Sequence, residues 1–140
     1  MDVMINYWAV LFAAMSSMVV GTIWYGPLLG KQWMKLSGVD KVPQNKRLSM
    51  NVYFASLFVL SLVMAYVIAH VAYMAHSFFN NSFLQDSTLT ALWLWLGIAL
   101  TRTVAIDFSE ARAREVTLIN VGNQLVTMLV AGLIIGLLPA

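Results

Sequence analysis

The sequence predicts an all-α fold, a four-span transmembrane helical bundle with a short interfacial helix after the first span. Apolar residues make up 61% of the 140-residue chain and charged residues only 10%, whereas about 25% of an ordinary soluble domain is charged. Four runs with few or no charges each supply the roughly 20 residues that a spanning helix needs. Because these runs use nearly the whole chain, residues 1–140 are interpreted as a single integral membrane domain.

The predicted spans cover residues 6–29, 48–74, 89–108 and 116–138. The first is interpreted as a retained helix, because a secretory signal begins with a basic segment and no Lys or Arg precedes Lys31. Pro27 and Gly30 are expected to end it, before an interfacial helix over residues 31–37. The polar tract at residues 77–82 is expected to lie outside the bilayer after the second span. A bend about Ala111 and Arg112 joins the last two spans into a hairpin.

The charge distribution predicts the orientation. Seven of the eight basic residues lie in two loops, Lys31, Lys35, Lys41, Lys46 and Arg47 after the first span and Arg112 and Arg114 after the third. Short loops rich in Lys and Arg stay in the cytoplasm. Both termini are therefore expected to lie outside.

Small residues recur at helical spacing in three of the spans and predict close helix packing. Four short helices bury little interior, and three such stripes exceed what one bundle obviously requires. We therefore expect the chain to form a homo-oligomer through them. The stripes are Ala13, Ser17 and Gly21 in the first span, Ser61, Ala65 and Ala69 in the second, and Gly132 with Gly136 in the fourth.

A polar patch is predicted in the inner third of the bilayer. Arg102 lies about 9 Å inside the inner boundary, at 1.5 Å per residue, and two interpretations of it stay open. In the first, its long side chain carries the guanidinium to the membrane surface. In the second, Arg102 faces the bundle interior beside amide groups, which are seldom left facing lipid. The patch as predicted comprises Arg102, Thr101, Asn120, Asn123, Gln124 and Thr22.

The first loop is predicted to contact membrane lipid through Lys31, Trp33 and Lys35. Its basic residues are explained by cytoplasmic retention and attraction to anionic headgroups. A nucleic-acid partner is not expected, since no folded domain remains to carry a solvated basic surface.

The residue types argue against several kinds of chemistry. The absence of cysteine excludes thiolate metal sites and dithiol redox chemistry. His70 and His76 are expected near the outer face and Asp107, Glu110 and Glu115 near the inner face, so no Ser-His-Asp set is expected within one subunit. Ion pairing with Arg112 and Arg114 accounts for the inner acids.

No catalytic residue, cofactor or metal is predicted, and the protein is not expected to be an enzyme. The segment from His70 through Met74 to His76 has soft ligands of the kind that hold a cuprous ion. Because the spacing is loose, an interfacial belt of His and Tyr is the favoured interpretation.

Several motifs together resemble the bacterial membrane-protein family known as domain of unknown function 1761. The resemblance covers almost the whole length and rests on five segments, residues 6–10 (NYWAV), residues 21–28 (GTIWYGPL) paired with residues 30–35 (GKQWMK), residues 118–122 (LINVG) and residues 132–136 (GLIIG). It implies a four-span protein of about this length in a bacterial cytoplasmic membrane, with no assigned reaction. The chain departs from the family pattern after Gly122, where Asn123 and Gln124 replace an aromatic residue and a His.

Of three functions compatible with the sequence, we expect the first, and the other two are alternatives. A homo-oligomeric channel or transporter would use the Arg102 patch as part of a solute path. A non-enzymatic accessory protein would bind lipid or a partner membrane protein through the Trp33 loop. A membrane enzyme acting on a lipid substrate would use the charged residues of the inner face.

Overall fold

The structure is a computed structural model that describes residues 2–140; Met1, which the predicted domain includes, lies outside the described residues. These residues form six α-helices, and no strand occurs among them. There are also two π-helical segments among these residues. Trp24–Leu28 follows α1, and Trp95–Leu100 connects α4 to α5. The α-helices are α1 (Tyr7–Ile23), α2 (Gly30–Ser37), α3 (Met50–Phe79), α4 (Phe83–Leu94), α5 (Thr101–Ser109) and α6 (Arg114–Leu137).

Four helical stretches are long and apolar enough to cross a membrane. They are Tyr7–Leu28, Gln44–Phe79, Phe83–Ser109 and Arg114–Leu137. Each packs on the next in sequence, and α6 closes the bundle by packing on α1. The predicted fold class is confirmed. We call the end that carries the loops at residues 31–47 and 110–113 the basic end, and the opposite end the far end.

Local sequence signals set the limits of the first span. Asn6 caps α1, since its Oδ1 accepts hydrogen bonds from the backbone N–H groups of Trp8 and Ala9. Pro27, which has no N–H, lies in the π-helical turn. Gly30 is required because a Cβ there would collide with the Tyr25 carbonyl oxygen. The interfacial helix predicted at residues 31–37 is α2, and Gly38 ends it with φ of 69°.

The connection between the second and third spans is shorter than the sequence indicated. α3 continues to Phe79 rather than residue 74, and α4 begins at Phe83 rather than residue 89. Ser77 fits within the helix because its hydroxyl donates to the Tyr73 carbonyl at 2.9 Å. Asn80 then ends α3 in the left-handed conformation, with φ of 57°, and Ser82 caps α4 through the Gln85 N–H.

The bend between α5 and α6 lies where the sequence predicted it. Ala111 has φ of 54°, and Arg112 contacts the Asp107 carboxylate at 3.5 Å and the Glu110 carboxylate at 2.7 Å. Asp107 is 2% exposed and also accepts a 2.7 Å hydrogen bond from the Thr117 hydroxyl. The ion-pairing interpretation of Asp107, Glu110 and Arg112 is therefore confirmed.

The small-residue stripes pack inside the chain. A Cβ on Gly136 would collide with Ser87 Oγ, and one on Gly132 would come within 2.9 Å of the Ala91 Cβ, so both glycines let α6 approach α4 closely. Most members of the other two stripes are also buried, namely Ala13 and Ser17 in α1 and Ala65 and Ala69 in α3. The homo-oligomer stays a prediction, but these stripes no longer support it because one chain already covers them.

The bundle is closed at the far end and open at the basic end. Its core comprises the first turns of α1, the second half of α3, Ala91 near the end of α4 and the second half of α6. All of these lie toward the far end. In contrast, no residue of α3 between positions 50 and 60 is buried. The basic half of α3 therefore diverges from the rest of the bundle.

Candidate functional site

The divergence of α3 leaves a groove between α3, the third span and α6. Its volume is about 380 Å³, within the range of small-molecule sites. The lining side chains are mostly apolar, and α6 supplies the polar ones. They are Met64, Val67 and Ile68 from α3, Leu94, Ile98 and Ala99 from the third span, and Asn123, Gln124, Thr127 and Met128 from α6.

The groove lies close to the midpoint of the spanning helices. α6 has 24 residues, so Asn123 and Thr127 lie about 4 Å and 2 Å from its midpoint at 1.5 Å per residue. This is deeper than the inner third of the bilayer in which the sequence placed Asn123. Groups at this depth are surrounded by hydrocarbon wherever protein does not cover them.

A π-helical segment forms the third-span wall of the groove. Trp95–Leu100 includes Ile98 and begins at Trp95, whose indole N–H donates to the Val121 carbonyl on α6 at 3.0 Å. The Thr101 hydroxyl lies within hydrogen-bond distance of the Gly97 and Ile98 carbonyls, at 2.9 and 3.2 Å. Short π-helical segments often mark functional sites. Thr101 thus stabilises one wall of the groove from its exposed side.

Two polar atoms beside the groove are buried and unpaired. Asn123 Nδ2 and Thr127 Oγ1 have no hydrogen-bond partner among residues 2–140. Several other helical hydroxyls, including those of Thr22 and Thr88, donate to the carbonyl four residues earlier. Gln124 is paired as well, since its Nε2 donates to Thr103 Oγ1 at 3.0 Å. Asn123 and Thr127 are therefore the groups of this groove that a bound molecule would satisfy.

The predicted Arg102 patch is not assembled. Arg102 is exposed on α5 and makes no hydrogen bond or ion pair with any described residue, so it is not packed against the amide groups of α6. Thr22 is exposed on α1 and bonds only to its own helix. Asn120 points to the first span, and only Asn123 and Gln124 line the same groove. The patch was predicted from depth alone, and rotation about each helix axis separates its members.

Asn120 instead joins α6 to the first span and α2. Its Oδ1 accepts hydrogen bonds from Tyr25 Oη at 2.8 Å and Trp33 Nε1 at 3.1 Å. The Trp24 indole N–H donates to the Ile119 carbonyl at 3.0 Å, and a Cβ on Gly122 would lie 3.1 Å from the Trp24 ring. Three of the sequence segments that carry the family resemblance therefore meet here.

The lipid contact expected of the first loop stays a prediction, and at Trp33 the structure adds a contact with protein. Lys31 and Lys35 are exposed on α2, as a surface-binding helix requires. Trp33 is half-buried and packs edge-on against Tyr25, with ring centroids 5.0 Å apart. Its indole N–H needs a hydrogen-bond partner and finds Asn120 rather than a headgroup.

A His–Asp pair at the far end was missed by the sequence reasoning, which considered only the acids of the inner loop. Asp86 is 3% exposed, and its carboxylate contacts His76 Nδ1 at 3.1 Å and accepts a hydrogen bond from Asn81 Nδ2 at 3.1 Å. The signal available was the spacing of His76 and Asp86 across a short polar tract. This contact fastens α3 to α4.

Comparison with known proteins addresses the resemblance directly. A family model described as "Protein of unknown function (DUF1761)" matches residues 8–136. The chain belongs to this family. As a DUF1761 protein it has the motif segments that meet at Asn120, but the family carries no assigned activity. Neither the comparison with curated proteins nor that with solved structures finds a match.

Proposed function

We propose that this protein is a non-enzymatic membrane protein that binds a small lipid-soluble molecule in the groove between α3, the third span and α6. The observation that carries the proposal is the buried, unpaired state of Asn123 Nδ2 and Thr127 Oγ1. A polar group left unpaired in hydrocarbon costs several kcal/mol. A ligand that supplies hydrogen-bonding groups there is favoured for that reason.

The lining favours a largely apolar ligand. Seven of the ten lining side chains are apolar, and no Asp, Glu, Lys or Arg is among them. Ligand sites of this type bind an apolar body and use a few polar groups to fix its orientation. Asn123 and Thr127 would supply that orientation here.

Access from the membrane supports the same function. The basic half of α3 has no buried residue, so the groove is open beside it. A molecule dissolved in the bilayer would reach the groove without crossing water.

Native mass spectrometry of the full chain, extracted in mild detergent, tests this proposal. We expect the protein to retain a small-molecule adduct that is lost in Asn123→Leu, in Thr127→Val and in Ala99→Trp, which fills the groove. Thr22→Val is the matched control, because Thr22 is exposed on α1 away from the groove, and it should keep the adduct. Absence of any adduct, or its retention in Ala99→Trp, would contradict the proposal.

The channel or transporter role expected from the sequence has less support. Its solute path depended on the Arg102 patch, whose members are dispersed, and on an oligomer whose stripes are buried within the chain. It is tested by solute flux in reconstituted vesicles, which Arg102→Leu should abolish. Location in the bacterial cytoplasmic membrane with both termini outside, binding to a partner membrane protein, and action on a lipid substrate also stay predictions.

A further inference from the structure

Arg102 lies at the basic-end mouth of the groove. It follows Ile98 by four residues and Ala99 by three, which places it about one turn of helix closer to the basic end. Both of those residues line the groove. Arg102 is therefore one helical turn from the lining, on the side where α3 diverges.

This cation has no partner among residues 2–140 and lies within the predicted membrane thickness. The third span has 27 residues, which places Arg102 about 9 Å from its midpoint at 1.5 Å per residue. The hydrocarbon core extends about 15 Å on either side of the bilayer centre. Arg112, outside the span, is paired with two carboxylates, whereas Arg102 makes no ion pair among residues 2–140. An arginine at such depth is rare and marks a functional site by default.

Asn123 lies close to Arg102 in depth. It is about 4 Å from the midpoint of α6 on the basic side, so the two Cα atoms differ by about 5 Å along the bundle axis. An arginine side chain is long enough to span that axial difference, and the carboxylate of the ligand would bridge the remaining gap between α5 and α6. A carboxylate between them would accept hydrogen bonds from the guanidinium and from the unpaired Asn123 Nδ2.

We infer that the ligand of the groove is a long-chain fatty acid, whose carboxylate binds Arg102 and Asn123 and whose chain lies along the apolar lining. The inference rests on the proposed function and names the ligand class of the same site. Arginine binds carboxylates through two parallel charge-assisted hydrogen bonds, and no acidic residue lines the groove to repel one. A phospholipid keeps its phosphate at the membrane surface, too far out to reach Asn123.

Photocrosslinking in lipid nanodiscs tests the inference with the full chain and a palmitate analogue that carries a mid-chain diazirine. We expect labelling of groove segments of α3 and α6, and competition by palmitate at concentrations about tenfold lower than by methyl palmitate. Arg102→Gln should reduce labelling about tenfold and abolish the difference between acid and ester, because the loss of a charge-assisted pair weakens binding by about that factor. Arg102→Lys should keep most of the preference for the acid.

The controls separate this inference from the proposed function. Arg114→Gln removes a cation of the basic end that lies outside the groove and should label like the wild type. Circular dichroism and gel filtration verify that each variant is folded. Wild-type labelling in Arg102→Gln, equal competition by acid and ester, or an unlabelled groove would overturn the fatty-acid inference. The adduct test with Asn123→Leu and Ala99→Trp decides the proposed function independently, since it requires no particular ligand class.

Discussion

Two asparagines three residues apart on α6 have opposite roles. Asn120 accepts hydrogen bonds from Tyr25 and Trp33, whereas Asn123 has an unpaired Nδ2 beside the groove. Removing the acceptor of a buried donor lowers the free energy of unfolding more than replacing a polar group that makes no hydrogen bond. The same substitution at the two positions therefore separates a structural amide from a ligand-binding one.

We predict that Asn120→Leu lowers the free energy of unfolding by about 2 kcal/mol, because it leaves the Tyr25 hydroxyl and the Trp33 indole N–H without an acceptor. Asn123→Leu should leave stability unchanged or raise it. Thermal unfolding in detergent, monitored by tryptophan fluorescence, measures both variants. Equal destabilisation by the two substitutions would show that Asn120 has no special structural role.

At the level of the elements, the close approach of α4 and α6 depends on residues that lack bulk. Gly132 and Gly136 face α4, where a Cβ at either position meets atoms at less than van der Waals distance. Gly21 has nothing within 4 Å of an added Cβ. Of these three glycines, Gly132 and Gly136 are required by packing and Gly21 is not.

Gly136→Leu is predicted to destabilise the protein by at least about 1–3 kcal/mol, the usual cost of overpacking, because α6 must move away from Ser87 and Leu84. Gly21→Ala should be neutral or stabilising, since Ala favours a helix over Gly by about 1 kcal/mol. Unfolding of both variants in the same detergent checks this. A tolerated Gly136→Leu with a normal unfolding temperature would contradict the packing of α4 on α6.

For the whole molecule, the contrast between a closed far end and an open basic end is the feature on which the candidate site depends. The groove exists because α3 packs on α1 and α4 along its second half only. Since membrane helices gain little from apolar contact with one another relative to lipid, an unpacked helix half is tolerated in a bilayer.

A nitroxide scan along α3 tests this asymmetry, and the chain has no native cysteine to remove. Oxygen accessibility at single cysteines over residues 62–72 should vary with a period near 3.6, because one face is buried. Over residues 50–60 it should be high at every position. A clear helical period in the basic half would show that another protein surface covers α3 there.

The sequence by itself determined the parts of this protein that depend on neighbours along the chain. Long apolar runs predicted four helices, and adjacent opposite charges predicted the Arg112 ion pairs. Pro27 with Gly30 predicted the end of the first span, and the charged segment around Ala111 predicted a bend. Each of these signals depends on hydrophobicity, capping or charge within a few residues. All of them hold before any two helices meet.

Only the tertiary structure decided which residues share a site. The spanning helices are apolar on nearly all sides, so their pattern does not indicate which face turns inward. Arg102 and Asn120 were expected together because they lie at similar depth, but they are on helix faces that point in different directions. Tyr25 and Trp33, in contrast, are on faces that point toward Asn120 and donate hydrogen bonds to it. The groove lies where α3 ceases to pack on the rest of the bundle, and the place where that packing stops is set by contacts between helices rather than by the residues of one helix.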